Sequence, residues 1–483
     1  MKLLAQFASG PFAFLLLYWM PYEGVPAQGR IALAVFGWMI MWWMAQPVPW
    51  AIASLLPLLL FPGFGIMNIG ETVSLYGQNI FFWIWGTIMM GYAMHHHGLA
   101  KRFALWFMSL QMVSGNTQSL AFGFMLVTAL ISTVVSDAAA VAMMIPVGVS
   151  LTFFVRTIAG IPATQKSNFG AFLALGALYA AEAGGTATIA GIPHNAVAVA
   201  LLEKFTGRTL GWFNWMLAGV PIFLITLIAF YFLLRLFFRP EISHIPGGEA
   251  FLRQEREKLG PLSAGERATL FVFAMMVVLF TLPTLLVLVL GKAHWLAQWS
   301  NAALPIWIVP PAILLLLFCT PVNWRKKEFV LSWREASQNT PWDIMILCTA
   351  ALAITDALVK FGFIKFVGSL IAGLGLGQYS LPFVAAAIVA FLTNIISGTA
   401  ATSFLGSIFI PVAQQVGWNP ASMAMLIPNV ALGFMLPWAG AAAGTAFATG
   451  EIEMKSMIRI GLIGTLMVIF VRAGIHILLA PIL

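Results

Sequence analysis

The sequence predicts an all-α polytopic membrane protein built from two repeats whose helices are interrupted at matched places. Three observations carry that prediction. Of 483 residues, 61% are apolar and 8% charged, and mean hydropathy is +0.95; a water-soluble domain carries about 25% charged residues. Apolar segments recur to the last residues with short polar breaks. At ~20 residues per span they make roughly ten to twelve helices or hairpins in one membrane unit, with no soluble domain. The halves on either side of the polar stretch 239–270 also echo one another.

The first segment, "MKLLAQFASGPFAFLLLYWMPYEG", lacks a small-residue cleavage site and runs into the next apolar segment. It reads as a first span or an interfacial lead-in helix rather than a leader. Cys319 and Cys348 both lie in apolar runs and give no disulfide framework or metal pattern. The net charge of +8 sits in connectors such as Lys101-Arg102, Arg235/Arg239 and Arg325-Lys326-Lys327. These are expected to anchor lipid headgroups or set topology. Nothing supports nucleic-acid binding.

In the first half, "NIFFWIWGTIMMGYAMHHHGLAKRFALWF" (79–107) is followed by "LVTALISTVVSDAAAVAMMIPVGV" (126–149). In the second, "PWDIMILCTAALAITDALVKFGFIKFVGSL" (341–370) is followed by "AAIVAFLTNIISGTAATSFLGSIFIPVAQQV" (386–416). Each pair has a glycine, Gly98 or Gly362, in a short basic connector. Each then has a helix broken by small residues that ends in Ile-Pro-Val. Glycine-rich interruptions follow at 181–199 and 435–454. Paired interruptions in two halves point to a secondary transporter, because broken helices free backbone groups near the midplane to hold ions and substrate. Irregular backbone survives there only where protein or a water-filled cavity satisfies it. An enzyme would need a nucleophile–base pair, a metal set or an acidic cluster near the headgroups. A passive channel would show symmetric rings of charges or carbonyls.

Asp137 is the most informative residue. Burying a carboxylate in hydrocarbon costs ~2.5–3.5 kcal/mol on insertion scales. A carboxylate suits a hard cation such as Na⁺, and it equally suits a proton. The plain alternative is a neutral Asp bonded to a neighbouring helix. Glu182 either reaches the same region or lies near a helix end within reach of water. His194, where it faces the first hairpin loop, would supply a donor towards an anion. The hydroxyls Ser132, Ser136, Thr186, Thr188, Ser397, Thr399 and Thr402 gather at the breaks, although such hydroxyls often only bond back to a carbonyl one turn earlier. Asn394 is a further candidate amide. His95-His96-His97 reads as an interfacial turn, Asp343 and Asp356 as helix flanks, and Arg472 as a snorkelling side chain.

"GYAMHHHGLAKRFAL" (91–105), "SDAAAVAMMIPV" (136–147), "GGTATIAGIPHNAVAV" (184–199), "LGPLSAGERATLFVF" (259–273) and "GFMLP" followed by "FATGEIEMKSMIRIGL" (433–462) resemble, in this order, the divalent anion/sodium symporters of di- and tricarboxylates or sulfate. The resemblance covers nearly the whole chain. It implies two inverted repeats, re-entrant hairpins near 78–98 and 341–361, and broken helices near 121–150 and 382–415. It also implies a homodimer working as an elevator in a bacterial inner (plasma) membrane. By this likeness residues 1–77 are N-terminal scaffold and 78–210 the first transport segment. Residues 211–340 are connecting scaffold and 341–483 the second transport segment.

The family's Ser-Asn-Thr at each break is altered here to Ser136-Asp137-Ala138 and Ser397-Gly398-Thr399. Ile-Pro-Val begins nine residues after Ser136 but thirteen after Ser397, so Ala401-Thr402-Ser403 is a rival register. The resemblance places the anion at Ser136, Ala138, His194, Asn195, Ser397 and Thr399. It places sodium at Ser132, Asp137, Gly185, Thr393, Gly398 and Thr402, above all around Asp137. The expected cargo is a C4-dicarboxylate or sulfate with Na⁺. The altered signatures leave open H⁺ coupling, or exchange of a different small anion.

Overall fold

The computed structural model describes residues 2–110, 113, 116–162 and 165–482. The N-terminal region comprises α1 (Lys2–Trp19), α2 (Ala27–Ala45), α3 (Trp50–Ala53), α4 (Leu56–Gly63) and α5 (Ile69–Tyr76). Helix α1 lies along α2. Trp42 Nε1 donates to Phe7 O at 3.2 Å, and Gln6 Nε2 to Ala45 O at 2.8 Å.

The first half continues as α6 (Asn79–His96), α7 (Leu99–Met108), α8 (Thr117–Ser132), α9 (Asp137–Ala159), α10 (Asn168–Gly185), α11 (Pro193–Thr206) and α12 (Trp212–Phe237). A middle section holds α13 (Gly248–Glu257), α14 (Ala264–Leu290), α15 (Trp295–Ala303) and α16 (Val309–Cys319). It then forms a small antiparallel ribbon, β1 (Pro321–Asn323) with β2 (Glu328–Phe329), and α17 (Trp333–Asn339). The ribbon is the one described departure from the all-α expectation. The second half is α18 (Trp342–Lys360), α19 (Phe363–Gly373), α20 (Ser380–Thr393), α21 (Gly398–Gln415), α22 (Pro420–Val430), α23 (Ala441–Phe447) and α24 (Met454–Leu479).

Helices α6 to α12 correspond one by one to α18 to α24. Gly98 and Gly362 mark the first connector of each half with φ +79° and +77°, a left-handed turn that only glycine adopts without penalty. Among the described residues, five helices (α9, α12, α14, α18 and α24) are long and apolar enough to cross a membrane unbroken. Shorter apolar helices, among them α8, α16 and α20, stand beside them.

Two expectations change. The segments 78–98 and 341–361 are not hairpins, because α6 and α18 run unbroken through them. Their small residues serve packing and back-bonding instead. A methyl at Gly86 would stand 2.5 Å from Pro310 C, so this glycine admits α16. Thr349 and Thr355 return their hydroxyls to Met345 O at 3.1 Å and Ala351 O at 2.9 Å. The first expected broken helix is the hairpin: Gly148 on α9 lies against Phe124 on α8, a methyl there falling 3.1 Å from Phe124 Cζ. The chain therefore folds back at the break. Helices α20 and α21, joined by a matching opening, also pack together.

The polar centre is tied down as well. Arg102, expected at the headgroups, reaches Glu266 at 2.6 and 3.0 Å and the carbonyls of Leu259, Gly260 and Pro261. Ser263 and Glu266 cap α14 reciprocally, a pattern readable in "LSAGE".

Candidate functional site

The two helix breaks have one construction. Helix α8 ends at Ser132, opens over 133–136 and restarts at Asp137; α20 ends at Thr393, opens over 394–397 and restarts at Gly398. Ser136 and Ser397 are the N-caps of the restarted helices, with φ/ψ of −53°/146° and −65°/149°. Their Oγ atoms accept from Ala139 N at 3.4 Å and Ala400 N at 3.2 Å. The register is thereby fixed: Ser397-Gly398-Thr399 corresponds to Ser136-Asp137-Ala138. Ala401-Thr402-Ser403 lies inside α21.

Each tip is pinned to the interruption that follows it. In the first half α10 is buried along nearly its whole length, and the chain unwinds over 186–192 before α11. Ser132 Oγ donates to Ala181 O at 2.7 Å, and Thr188 Oγ1 donates to Thr133 O. Gly184 lets the backbones touch, since a methyl there would fall 2.7 Å from Ala129 Cα. Asn195 stitches the loop, its Nδ2 donating to Gly185 O at 2.9 Å and Thr188 O at 2.8 Å. In the second half the chain unwinds over 431–440 between α22 and α23. Asn394 Oδ1 accepts from Met435 N at 3.0 Å, and its Nδ2 donates to Ala390 O at 2.8 Å.

The two halves meet at the start of α11. His194 faces the second tip, not the first: a methyl on Gly398 would fall 3.1 Å from His194 Cε1 and 2.7 Å from Ala431 O. The ring also lies against the Pro428 backbone. Thus Asn195 serves the first interruption while its neighbour serves the second tip. Burial leaves several oxygens and one nitrogen without a partner: Asn195 Oδ1, His194 Nε2, Thr402 Oγ1 and Ser403 Oγ. Buried polar atoms are ordinarily paired, so these are available to a ligand.

A charged group stands behind the first tip. The Asp137 carboxylate folds back onto its own N–H and that of Ala138 at the start of α9, where a helix favours negative charge. Glu182, 4% exposed, interacts with Asp137 and Arg472 and faces the Gly433 N–H of the second interruption. Arg472 does not snorkel. It is fully buried, with Nη1 on Asn429 O and Nε 3.3 Å from Thr226 Oγ1. His476 and Ser422 complete this group around Asn429.

Of the sequence-predicted residues, the first tip gathers Ser132, Ser136, Asp137 and Ala138 with Gly185 and Asn195. The second gathers Thr393, Ser397, Gly398, Thr399 and Thr402 with His194. Thr393 returns its hydroxyl to Val389 O at 2.8 Å, and Thr399 lies beside the Cys348 thiol. The three-histidine run ends α6, His97 Nε2 lying 2.8 Å from Val330 O and His96 3.5 Å from Glu335. Asp356 pairs with Lys204 on α11 and accepts from Gln78 Nε2 at 3.3 Å. It lies within α18 and fastens α11 to it rather than flanking a helix. The counter-charge Arg472 is what the sequence reading missed, although an arginine inside a final apolar span is itself the signal.

A cavity of about 530 Å³ reaches the second tip at Ile395, Ile396 and Ser397; its far wall includes Trp43, Gln46, Trp50 and Trp438.

The family described as "Sodium:sulfate symporter transmembrane region" matches residues 3–483. The chain belongs to this family. It is a multi-pass membrane transporter and not an enzyme. Among similar relatives, the sodium-dependent dicarboxylate transporter SdcS of Staphylococcus aureus (strain bovine RF122 / ET3-1) is 28% identical over 463 residues, covering 94% of this chain and 86% of the relative. SdcS of strain NCTC 8325 / PS 47 gives the same figures. Two solved structures share the fold. The Alcanivorax borkumensis YdaH transporter aligns with TM-score 0.55 at 15% identity over 88% of this chain and 90% of that one. Neisseria gonorrhoeae MtrF, described within a class of antimetabolite efflux pumps, aligns with TM-score 0.54 at 12% identity over 97% and 98%.

Proposed function

We propose that this member of the family is a secondary transporter of a small dianion of the C4-dicarboxylate or sulfate class, coupled to Na⁺, with the cation at the first tip and the anion at the second. The observation that carries the reading is the chemical asymmetry of two equally built tips. At the first, Asp137 already occupies the helix N-terminus, and Glu182 stands behind it. An anion is repelled there and a hard cation welcomed. Asn195 Oδ1 is an unspent buried oxygen, and Ser132 donates its proton to Ala181 O, leaving its own oxygen free to face a cation.

At the second tip Gly398 replaces the acid. The first N–H groups of a helix have no intrahelical partner and favour an anion. The Ser397 oxygen accepts from Ala400 N, which leaves its O–H to donate. His194 and Thr399 border the same place, and the 530 Å³ cavity gives it access.

The relatives' sodium-dependent dicarboxylate transport supports this cargo. The matched order of α6–α12 and α18–α24 supports a repeat, which we read as inverted. In that arrangement the segments 78–210 and 341–483 move as an elevator against 1–77 and 211–340, within a homodimer of a bacterial inner membrane. The adjacent carboxylates of Asp137 and Glu182 favour one second reading, H⁺ as the coupling ion.

The test is succinate and sulfate uptake into proteoliposomes, comparing an inward Na⁺ gradient with a choline control at clamped pH. Uptake only with Na⁺ is expected. Uptake driven by an inward proton gradient without Na⁺ would favour the second reading, and no uptake of any small dianion under either gradient would end both. Asp137→Asn is expected to abolish or strongly right-shift the Na⁺ dependence; an unchanged Na⁺ dependence would remove Asp137 from the cation site.

A further inference from the structure

We propose that the crevice between α8 and α12 is a binding site for one anionic phospholipid, its phosphate held by Arg235 and Arg239 and an acyl chain laid along the groove beneath them. Two cavities, of about 730 and 590 Å³, share Gln118 and Phe232 and so form one continuous groove. Its deeper part is apolar, lined by Phe122 and Leu126 from α8 and by Ile228, Tyr231 and Phe232 from α12. Its mouth is basic, with Arg235 and Arg239 beside Gln118 and Ser243. From Ile228 to Arg235 the helix rises about 10 Å, a span an acyl chain covers below its headgroup.

Charge complementarity selects the occupant. Arg235 and Arg239 are exposed, and among the described residues neither has a hydrogen bond or ion pair. Arg459 stands over the Phe237 ring at 5.4 Å and adds a third positive charge at this end of α12. The acid in the same stretch, Glu241, is turned elsewhere, accepting from the N–H groups of Asn168 and Phe169 at the start of α10. The mouth is also built rather than loose. Thr117 Oγ1 donates to Ile242 O at 2.5 Å and Thr117 N to Ser243 O at 3.1 Å, fixing the chain beyond Pro240 against the start of α8. A bare anion would leave the apolar floor unused, and a neutral lipid would leave the arginines unpaired. An anionic phospholipid satisfies both ends. The proposal does not depend on which ion or anion the protein carries.

Thermal unfolding of the detergent-purified full chain tests it, during titration with phosphatidylglycerol, phosphatidylcholine or inorganic phosphate. A ligand that binds the folded state raises the midpoint by an amount that grows with the logarithm of one plus the ratio of free ligand to Kd, so the tighter ligand acts at the lower concentration. Phosphatidylglycerol is expected to give a larger shift than phosphatidylcholine at the same concentration, and phosphate alone to give none. R235Q/R239Q should bring phosphatidylglycerol down to the phosphatidylcholine response, with roughly fivefold weaker apparent binding for each arginine removed. R235K/R239K should keep most of it. Ser119→Trp, which fills the apolar part from a half-buried position, should remove the response to both lipids. Equal responses of the parent to the two lipids would overturn the proposal. So would a full shift with phosphate alone, or an undiminished phosphatidylglycerol response in R235Q/R239Q. Loss of a dimer on size exclusion in Ser119→Trp would assign the groove to a second copy instead.

Discussion

Replacing Arg472 with methionine should be among the most damaging single changes in the chain, and a second substitution should largely reverse it. The guanidinium is fully buried, bonded to Asn429 O and placed 3.3 Å from Thr226 Oγ1, and it is the cation that interacts with the buried Glu182. Methionine keeps much of the side-chain volume but removes the charge. The lost hydrogen bonds account for about 1 kcal/mol each. The larger part comes from leaving Glu182 buried beside Asp137 with its nearest cation gone. The two groups are not in ion-pair contact, so this falls below the cost of breaking a buried pair, at about 2–3 kcal/mol. Glu182→Gln on top of Arg472→Met removes the stranded charge, so the double variant should regain at least ~2 kcal/mol, well beyond additivity for independent sites. Unfolding of such a protein in detergent is commonly irreversible, so the readout is the first-order loss of monodisperse protein at a fixed temperature. Arg472→Met should accelerate it roughly 100-fold or more, to the extent that the network is lost in the transition state. A change of only a few-fold, or a double variant no better than the single one, would refute the charge argument and leave Arg472 as a packing residue.

Asn394→Ala should strip both the Met435 N–H and the Ala390 carbonyl of their partner, at about 1–3 kcal/mol for a buried group left unpaired; its uptake KM should rise more than its kcat falls if the second tip holds the anion. A double-mutant cycle of Lys204→Met with Asp356→Leu should give about 1 kcal/mol of coupling for this partly exposed pair, and zero coupling in thermal stability would show that the contact between α11 and α18 is incidental. The Ser332 hydroxyl holds the Glu335 carboxyl below the usual carboxylate range, against a smaller opposing effect of burial, with help from the Ser332 N–H and from His96 and His97. Because the folded value is depressed, this stabilisation is present above the ordinary Glu value of about 4.3 and is lost as pH falls through the lower native value. The protection factors of the α17 amides, which are corrected for the intrinsic slowing of exchange in acid, should therefore fall on acidification below about pH 4, and Glu335→Gln should flatten that dependence.

Most of what is local was legible in the sequence. Serines before the restarted helices, glycines in matched connectors and the "LSAGE" box are short-range signals, and each marks the cap or turn that the structure contains. The direction of the chain after a break is not local. Ser-Asp-Ala after an apolar helix reads the same whether the next helix continues or folds back, and it is Gly148 meeting Phe124 that decides for the hairpin. The same limit explains α6, where Gly86 imitates a tip while admitting α16, and α18, where Thr349 and Thr355 bond back within their own helix. The expectation that His194 faces the hairpin loop placed within 78–98 does not hold, because its neighbour, Gly398, lies in the other half of the chain. Arg472 read as a snorkelling residue because its partners Thr226, Asn429 and Glu182 come from three other helices. Arg102 failed as a headgroup anchor for the same reason.

The divergence of the two tips also gives the proposed coupling a physical basis. When ionised, the two carboxylates of Asp137 and Glu182 and the guanidinium of Arg472 leave one net negative charge behind the first tip. A buried charge without compensation is costly in any conformation that shields it from water. One monovalent cation at Asp137 cancels it; an anion arriving first would add to it. His194 and Asn195 are consecutive on α11 and touch the second tip and the first interruption respectively. An unfilled first site therefore bears on the anion site in two ways, through the field of the acids and through a shared helix start. Cation first and anion second is the loading order that this arrangement favours. In a stopped-flow experiment, Na⁺ binding should accelerate the anion-dependent signal, whereas preincubation with anion alone should leave the Na⁺-dependent rate unchanged. A faster response to Na⁺ after anion preincubation would reverse the order and with it the role assigned to the acids.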